Sequence, residues 1–218
     1  QKKYKVIAIT GSVGKTSTRQ MVSAVISKSI DTYSSRGNNN NEIGVPLTIL
    51  DAPNSTGALV LELGMRAKGE IKILSEICRP DIAVITNIGM SHIEFLGSKE
   101  NIFKAKSEII SGLKKDGLLI LNVDDPYLKN LCNDSYGKIR TIAVTTLKYE
   151  DVRADLVIRA KNIVSGKGYI NFKIETKIPD GKSYSIDKVT IPVMGTHNVI
   201  NALIGIACAV DMDLDLSK

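Results

Sequence analysis

A glycine-rich turn stands between a short apolar run and an amphipathic segment near the start of the chain. The apolar run covers residues 6–9, the turn reads TGSVGKTS over residues 10–17, and the periodicity of residues 16–28 predicts a helix. A strand that passes through such a turn into a helix is typical of a phosphate-binding loop, because backbone N–H groups and the positive helix end surround phosphate oxygens. This segment therefore predicts an α/β fold that binds ATP or GTP.

Two residues of the turn have the side chains that nucleotide binding needs. Lys15 is placed to reach the β- and γ-phosphates, and the hydroxyl of Thr16 is placed to ligate Mg²⁺. The usual spacing would put a glycine where Ile9 stands, so this chain carries a shorter G-x-x-G-K-T-S form. The alternative is a helix start that happens to contain glycines, but the order strand, Gly14-Lys15-Thr16, helix favours the nucleotide site.

Apolar runs and helical periodicities alternate through the first two thirds of the chain. The runs read as buried strands at residues 6–9, 58–63, 82–86, 118–122 and 139–144, and the helical patterns cover residues 16–28, 70–77, 100–112 and 126–131. Such alternation predicts a mostly parallel, doubly wound sheet with helices on both faces.

The pattern changes after about residue 151. Residues 154–160, 169–176 and 183–193 alternate apolar and polar side chains, and turn signals lie at residues 165–168 and 179–181. These segments predict antiparallel strands joined by hairpins, at an edge or in a smaller second sheet. A final helix is expected at residues 198–210.

Composition and charge narrow the classes of partner. The chain of 218 residues has a net charge of +6, but its 29 Lys and Arg are dispersed and only 5% of its residues are aromatic. This distribution favours anionic small molecules and argues against nucleic acid. No apolar run is long enough for membrane insertion or a signal peptide, and the three cysteines are scattered, so a cytoplasmic location is expected.

Polar residues at the ends of the predicted strands are the next candidates, because ligands of open parallel sheets bind at the carboxyl ends of the strands. They are Glu62 after one run, Asn87 and His92 after another, and Asn122 and Asp124 after a third. Glu62 fits a second metal-holding group, and a salt-bridged strand end is its alternative. The pattern alone does not separate a ligand role for His92 from that of an ordinary surface or core histidine.

Four consecutive asparagines occupy residues 38–41. Asparagine side chains both donate and accept hydrogen bonds and tolerate left-handed backbone. The segment is therefore either a polar turn or a loop that faces substrate or metal, and composition leaves both open.

Six segments together resemble the central ATP-binding domain of the Mur ligase family, the ATP-dependent amide-forming enzymes of peptidoglycan precursor assembly. The segments are TGSVGKTS at 10–17, GNNNNEIGVPLT at 37–48, LELGM at 61–65, TNIGMSHIE at 86–94, KAKSEI at 104–109 and GTHNVINA at 195–202. They span nearly the whole chain in the family's order. The resemblance is strongest to members that add D-alanyl-D-alanine to UDP-N-acetylmuramoyl-tripeptide.

The resemblance implies a role for each matching residue. Lys15, Glu62, His92 and Lys106 would form the catalytic group, and metal would be held by Thr16, Glu62, His92 and Lys106. Lys106 would be either a carbamate, as in several family members, or an ordinary helix lysine beside Lys104. The triphosphate would be bound by Gly11, Ser12, Val13, Gly14, Lys15, Thr16 and Ser17. Asn198 and Asn201 would face the adenine or the ribose, with His197 beside them. Asn40 and Asn41 would approach the nucleotide-sugar substrate or the metal shell.

The resemblance also implies a reaction and a domain plan. ATP would phosphorylate a substrate carboxylate, and an amine would then attack the acyl phosphate to give an amide. The 218 residues would form the central domain alone, without the N-terminal UDP-binding and C-terminal ligase domains, so we expect weak nucleotide binding and no ligation by this chain alone. A related ligase of the folylpolyglutamate or cyanophycin synthetase type, and a non-catalytic nucleotide-binding module, are the alternatives.

Overall fold

A computed structural model describes residues 4–179 and 183–216 of the chain. Within these residues one sheet holds nine strands, in the order β2-β3-β1-β4-β5-β6-β7-β8-β9. The strands are β1 (Lys5–Thr10), β2 (Thr32–Ser34), β3 (Ala58–Glu62), β4 (Ile82–Ile85), β5 (Leu118–Asn122), β6 (Arg140–Thr145), β7 (Leu156–Ser165), β8 (Ile170–Lys177) and β9 (Ser185–Ile191).

The helices cover both faces of this sheet. They are α1 (Lys15–Ile26), α2 (Gly44–Asp51), α3 (Glu70–Cys78), α4 (Ile93–Leu96), α5 (Lys99–Ser107), α6 (Pro126–Ser135) and α7 (His197–Asp211), and a 3-10 turn at Glu108–Gly112 follows α5. One face carries α1 and α7, whose Val22 and Leu203 share a core with Ile7 and Ile9 of β1. None of the helices in the described part of the chain has the length and apolar character that crossing a membrane requires.

The central strands are parallel and almost completely buried. Neighbours from β2 through to β7 pair in parallel, and every residue of β3 and β4 is buried. Strands that helices cover on both faces have no solvent side, so their sequences are apolar throughout rather than alternating. The parallel pairing of β1 with β3 and β4 places the carboxyl ends of these three strands side by side at one edge of the sheet.

The predicted α/β fold is confirmed. The strands after residue 151 form the edge of the same sheet: β7 pairs in parallel with β6, while β8 and β9 add antiparallel hairpins. The predicted turn at 179–181 lies partly outside the described residues, which omit Asp180 and Gly181.

Three short elements were not predicted from the sequence, and one predicted helix is divided. The unpredicted elements are β2, α2 and α4. The expected helix at residues 100–112 changes after Ser107 into the 3-10 turn, so its last residues follow a tighter path.

Candidate nucleotide-binding site

The glycine-rich turn connects the end of β1 to the first residue of α1, as expected. Gly14 precedes α1 with a φ of 82°, a left-handed conformation that glycine adopts without steric cost. At Gly11 a Cβ atom would lie 1.9 Å from Thr86 Oγ1, so the close approach of β4's following loop requires glycine there. The turn is therefore shaped by its own glycines and by the residues after β4.

The loop after β4 forms hydrogen bonds with backbone groups in the first half of the turn. Ser12 N–H donates to the Asn87 carbonyl at 3.1 Å, and Val13 N–H donates to Asn87 Oδ1 at 3.0 Å. Asn87 Nδ2 and Thr86 Oγ1 both donate to the Val13 carbonyl, at 2.8 and 2.9 Å. These contacts hold the turn in place, but they also use two of the N–H groups that sequence reasoning assigned to phosphate.

The free donors lie at the start of α1. Within the described residues, the backbone N–H groups of Lys15, Thr16 and Ser17 have no protein acceptor, and the first turn of α1 contains no acidic side chain. Unpaired N–H groups and the positive end of the helix dipole form a site for an anion. The candidate phosphate cradle is therefore the first turn of α1 together with Gly14.

Lys15 lies at this helix start with its side chain partly buried. Its Nζ donates to the Gly11 carbonyl at 3.0 Å. Burial lowers the pKa of Lys15, and the negative charge of Glu62 partly opposes that shift. The cation is thus folded back over the turn, where it can meet a phosphate.

Glu62, at the end of β3, is 4% exposed, and three side chains approach its carboxylate. Thr16 Oγ1 donates to its Oε2 at 2.8 Å, and Asn40 Nδ2 donates to its Oε1 at 3.0 Å. Arg19, on the next turn of α1, brings its Nε to 3.9 Å from Oε2. The sequence-predicted partners Thr16 and Glu62 are therefore in direct contact.

Arg19 is a residue that sequence reasoning missed. The residue is 7% exposed, and its Nε has no hydrogen-bond partner among the described residues. An arginine in an amphipathic helix is usually assigned to the solvent face, so no pattern marked it. Its spacing of one helical turn from Lys15 and Thr16 is the signal that could have found it.

The asparagine segment performs two different tasks. Asn40 reaches Glu62, whereas Asn41 Oδ1 accepts from the N–H groups of Ile43 and Gly44 at 3.2 and 2.9 Å. Asn41 is thus a cap for the start of α2. Its side chain also borders the cavity beside Lys15, where a substrate role stays a prediction.

His92 and Lys106 lie close enough to Lys15 for their charges to interact. His92 has a φ of 67° at the start of α4, and burial followed by the charges of Lys106 and Lys15 lowers its pKa. Lys106 is 1% exposed, and burial followed by the charge of Lys15 lowers its pKa to about 7. No carboxylate forms an ion pair with Lys106 among residues 4–179 and 183–216.

The two asparagines of α7 are bonded to each other, and Asn201 is buried against α1. Asn201 is 6% exposed, and its Oδ1 accepts from Thr18 Oγ1 at 2.7 Å. Its Nδ2 donates to Asn198 Oδ1 at 3.0 Å, while His197 is exposed at the first position of the helix. Contact of Asn198 and Asn201 with a base or ribose stays a prediction.

Asp124 and Asn122, at the end of β5, make hydrogen bonds to residues at the ends of the neighbouring strands. The Asp124 carboxylate accepts from the hydroxyl groups of Thr145, the last residue of β6, and of Thr146, and Asn122 Nδ2 donates to the Thr86 carbonyl at 2.9 Å. They hold the loops at this edge of the sheet and do not reach the phosphate cradle.

An open polar cavity of about 570 Å³ adjoins the cradle. It is lined by Lys15, Asn38, Asn40, Asn41, Glu42, Gly64, Met65, Arg66, Glu70 and His92. The described residues contain no group of three or more His, Cys, Asp or Glu side chains arranged to hold a metal. A hydroxyl and one carboxylate, as at Thr16 and Glu62, nevertheless fit Mg²⁺, which takes one or two protein oxygens and completes its shell with phosphate and water.

Comparison with known proteins gives one family. A family model described as the Mur ligase middle domain matches residues 9–209. The UDP-N-acetylmuramoyl-tripeptide–D-alanyl-D-alanine ligase of Bacillus subtilis is 41% identical over 207 residues, which are 93% of this chain and 40% of that protein.

Solved structures agree with that comparison. MurF from Acinetobacter baumannii matches with a TM-score of 0.82 and 32% identity, over 98% of this chain and 44% of that one. MurF ligase from Thermotoga maritima, solved in complex with ADP, matches with a TM-score of 0.79 and 26% identity, over 98% of this chain and 46% of that one. This chain thus spans less than half the length of these similar proteins.

Proposed function

This chain belongs to the Mur ligase family, and we propose that it is the ATP-binding part of a ligase that joins D-alanyl-D-alanine to UDP-N-acetylmuramoyl-tripeptide. Relatives that carry this activity in their names are 30% to 41% identical to it. Because the chain spans 40% of the length of the Bacillus subtilis relative, the ligation is assigned to a longer protein that contains it.

The observation that carries the proposal is the contact between the phosphate cradle and Glu62. Thr16 belongs to the helix turn that offers unpaired N–H groups, and its hydroxyl lies 2.8 Å from the Glu62 carboxylate. An anion cradle with an adjacent oxygen pair fits a nucleotide that carries a divalent cation. The similar Thermotoga maritima structure holds ADP, which supports a nucleotide at this site.

Mg²⁺ would be held by Thr16 and Glu62 together with the nucleotide. When bound, it would neutralise negative charge on the phosphates as the γ-phosphoryl group is transferred. Lys15 adds a second positive charge from the same helix start. We propose, from the family resemblance, that His92 and Lys106 would hold a further Mg²⁺ near Lys15, whose charge interacts with both side chains.

Lys106 suits that position only after chemical modification. A lysine cation repels Mg²⁺, and this lysine is buried next to another lysine with no acidic partner among the described residues. Addition of CO₂ to the neutral amine, with loss of a proton, turns it into a carbamate whose oxygens can bind metal. We therefore propose that Lys106 is carbamylated in the working enzyme.

The reaction requires positioning and charge neutralisation more than protein chemistry. The carboxylate of the tripeptide attacks the γ-phosphorus of ATP, ADP leaves, and the product is an acyl phosphate. The amine of D-alanyl-D-alanine then attacks the acyl carbon, phosphate leaves, the nitrogen gives up a proton to the departing phosphate or to water, and an amide remains. Neither step needs a protein nucleophile, which agrees with a site that offers cations, amides and carboxylates but needs none of them to attack the substrate.

The polar cavity beside Lys15 is the proposed place for the reacting end of the tripeptide. Asn40, Asn41, Arg66 and His92 are among the residues that line it. Asn40 is fixed by its bond to Glu62, so substrate binding and metal binding share one side chain.

We propose a bacterial cytoplasmic setting for the protein. Cys78, Cys132 and Cys208 are all buried and unpaired, which fits a reducing compartment. The similar ligases named above come from bacteria.

The test uses the longer protein that contains this chain. We expect it to release phosphate from ATP only when UDP-N-acetylmuramoyl-tripeptide and D-alanyl-D-alanine are both present, and Lys15→Ala to abolish that release. Lys104→Ala is the matched control, because Lys104 is an exposed lysine paired with Glu100. Ligation of a different acid or amine in preference would overturn the substrate assignment, and unchanged activity of Lys15→Ala would overturn the site.

A further inference from the structure

Arg19 lies one helical turn after Lys15 and is buried inside the protein. Among the described residues it forms its one ion pair with Glu62, which is buried as well. A charged group is costly to remove from water unless an opposite charge compensates it. The two residues therefore balance each other's charge in the interior, at the end of β3.

The arginine balances the carboxylate without taking up its oxygens. Its Nε lies 3.9 Å from Glu62 Oε2, which is too far for a hydrogen bond, and has no hydrogen-bond partner in the described part of the chain. The carboxylate oxygens instead accept from Thr16 Oγ1 at 2.8 Å and from Asn40 Nδ2 at 3.0 Å. Arg19 thus acts on Glu62 through its charge and leaves the hydrogen bonds to other residues.

Lys15 is a second cation that acts on Glu62, but it is open to a ligand. Burial lowers the pKa of Lys15 and the charge of Glu62 opposes that shift, so the two charges interact. Lys15 also lines the open polar cavity, and its Nζ donates to the Gly11 carbonyl in the glycine-rich turn. A phosphate can therefore draw Lys15 away from Glu62, whereas the enclosed Arg19 stays beside the carboxylate.

We propose that Arg19 is a positioning residue for the metal: as a fixed counter-charge it acts through Glu62 and weakens the binding of Mg²⁺ to the nucleotide-free site. This inference rests on the proposed function, in which Thr16 and Glu62 hold Mg²⁺ together with the nucleotide. With Arg19 beside it, the carboxylate offers a divalent cation little net negative charge, and the phosphates must supply the rest. Metal therefore enters with the nucleotide and does not occupy the site alone.

The experiment measures metal affinity in the longer protein that contains this chain, without nucleotide. Mn²⁺ is the probe, because it takes the same oxygen ligands as Mg²⁺ and its free form is counted by electron paramagnetic resonance; Mg²⁺ is then used to displace it. Arg19→Met and Arg19→Gln each remove the positive charge. We expect both variants to bind the metal about fivefold to twentyfold more tightly than the wild type, because a repelling charge is gone.

The direction of this change separates an electrostatic role from a merely structural one. If Arg19 only supported the shape of the site, its loss would loosen Glu62 and weaken metal binding, and that result would overturn the inference. Arg19→Lys keeps the charge, and no hydrogen bond from Nε to Glu62 is lost, so metal affinity should stay within about twofold of the wild type. Tight binding by the lysine variant would show that the charge is not responsible.

Arg140→Met is the matched control. Arg140 also pairs with a carboxylate that is almost buried, that of Asp211 at 2.7 Å. It begins β6, so it lies at the edge of the parallel strands opposite to Glu62, which ends β3. The variant changes the net charge of the protein by the same amount, and its metal affinity should equal that of the wild type. An increase as large as that of Arg19→Met would show a general charge effect and contradict a local one.

Glu62→Gln separates this inference from the proposed function. If Glu62→Gln left metal affinity unchanged, the proposed metal site would fail and the inference with it. If Glu62→Gln weakened metal binding about tenfold or more, while Arg19→Met bound the metal as the wild type does, the proposed function would stand and the inference alone would fail.

Discussion

Thr16 and Glu62 come from elements 46 residues apart, yet the threonine hydroxyl donates a 2.8 Å hydrogen bond to the carboxylate. The parallel pairing of β1 with β3 brings them together, because it places Glu62 opposite Ile9, just before the glycine-rich turn. Asn40 fixes the second carboxylate oxygen from the other side. The pair is thus oriented by the sheet register before any nucleotide binds.

Glu62→Gln should reduce the effect of Mg²⁺ on ADP binding. The amide keeps the shape of the side chain but loses the charge that attracts the cation, so we expect Mg²⁺ affinity to fall about tenfold to a hundredfold. Calorimetric titration of Mg²⁺ into the ADP complex measures this. Glu76→Gln is the control, since Glu76 is an exposed partner of Lys72; an unchanged Mg²⁺ response in Glu62→Gln would contradict the metal assignment.

Arg19→Met should destabilise the protein through Glu62. The variant keeps the buried aliphatic stem but leaves the carboxylate without its nearest positive charge. We expect a loss of about 1–3 kcal/mol in the free energy of unfolding, and a clearly smaller loss when Glu62 is already Gln. Urea unfolding of the two single variants and the double variant gives the coupling; additive losses would show that Arg19 and Glu62 do not act as a pair.

Gly11→Ala should displace the glycine-rich turn. The added Cβ would lie 1.9 Å from Thr86 Oγ1, a clash that backbone or side-chain movement must relieve at about 1–3 kcal/mol. Gly97→Ala is the comparison, because Gly97 also has a positive φ but has open space around its Cβ position. Thermal unfolding with and without ADP should show that only Gly11→Ala loses the stabilisation by nucleotide, and equal behaviour of the two variants would contradict this.

Asn87→Leu should loosen the phosphate-binding turn, although Asn87 is not one of the residues of that turn. The variant removes both side-chain bonds to Val13, so the turn loses its fixed shape and ADP affinity should fall about tenfold. Asn133→Leu is a suitable control, because Asn133 makes a similar pair of bonds to Asp151 and Arg153 away from the turn. Normal ADP affinity in Asn87→Leu would mean that the turn needs no support from the loop after β4.

Activity of the longer protein should depend on CO₂ through Lys106. With its pKa lowered to about 7, the amine becomes neutral as the pH rises through that value, whereas a lysine at the ordinary 10.5 stays protonated. Carbamate at a fixed CO₂ concentration should therefore increase from about pH 6 to about pH 8. Carbon-13 NMR with labelled bicarbonate detects it, and Lys106→Ala should remove both the signal and about a hundredfold of activity; a wild-type spectrum without the signal would rule the carbamate out.

The positions of most strands and of the main helices along the chain could be predicted, because each buried strand is a continuous apolar run. The missed elements lack such a pattern. Strand β2 is only three residues long, and α2 begins with Gly44 and contains Pro46, which is tolerated because first-turn N–H groups have no partner within the helix. Element type was therefore readable where length and periodicity were sufficient.

The candidate site was only partly readable. Lys15, Thr16 and Glu62 follow from motif and strand-end position, and the structure brings them together. The burial of Arg19 and the internal bonds of Asn201 depend on which helix covers which face, and that is decided by contacts between residues far apart in sequence. No local pattern contains this information.

The packing of α7 on α1 has a consequence for how the chain folds. Thr18 is hydrogen-bonded to Asn201, 183 residues later in the chain. The apolar side of α1 therefore stays uncovered until α7 has been synthesised. During translation the glycine-rich turn is therefore made well before the helix that covers α1. The helix that carries Lys15 and Thr16 therefore gains its full packing only after α7 has been made.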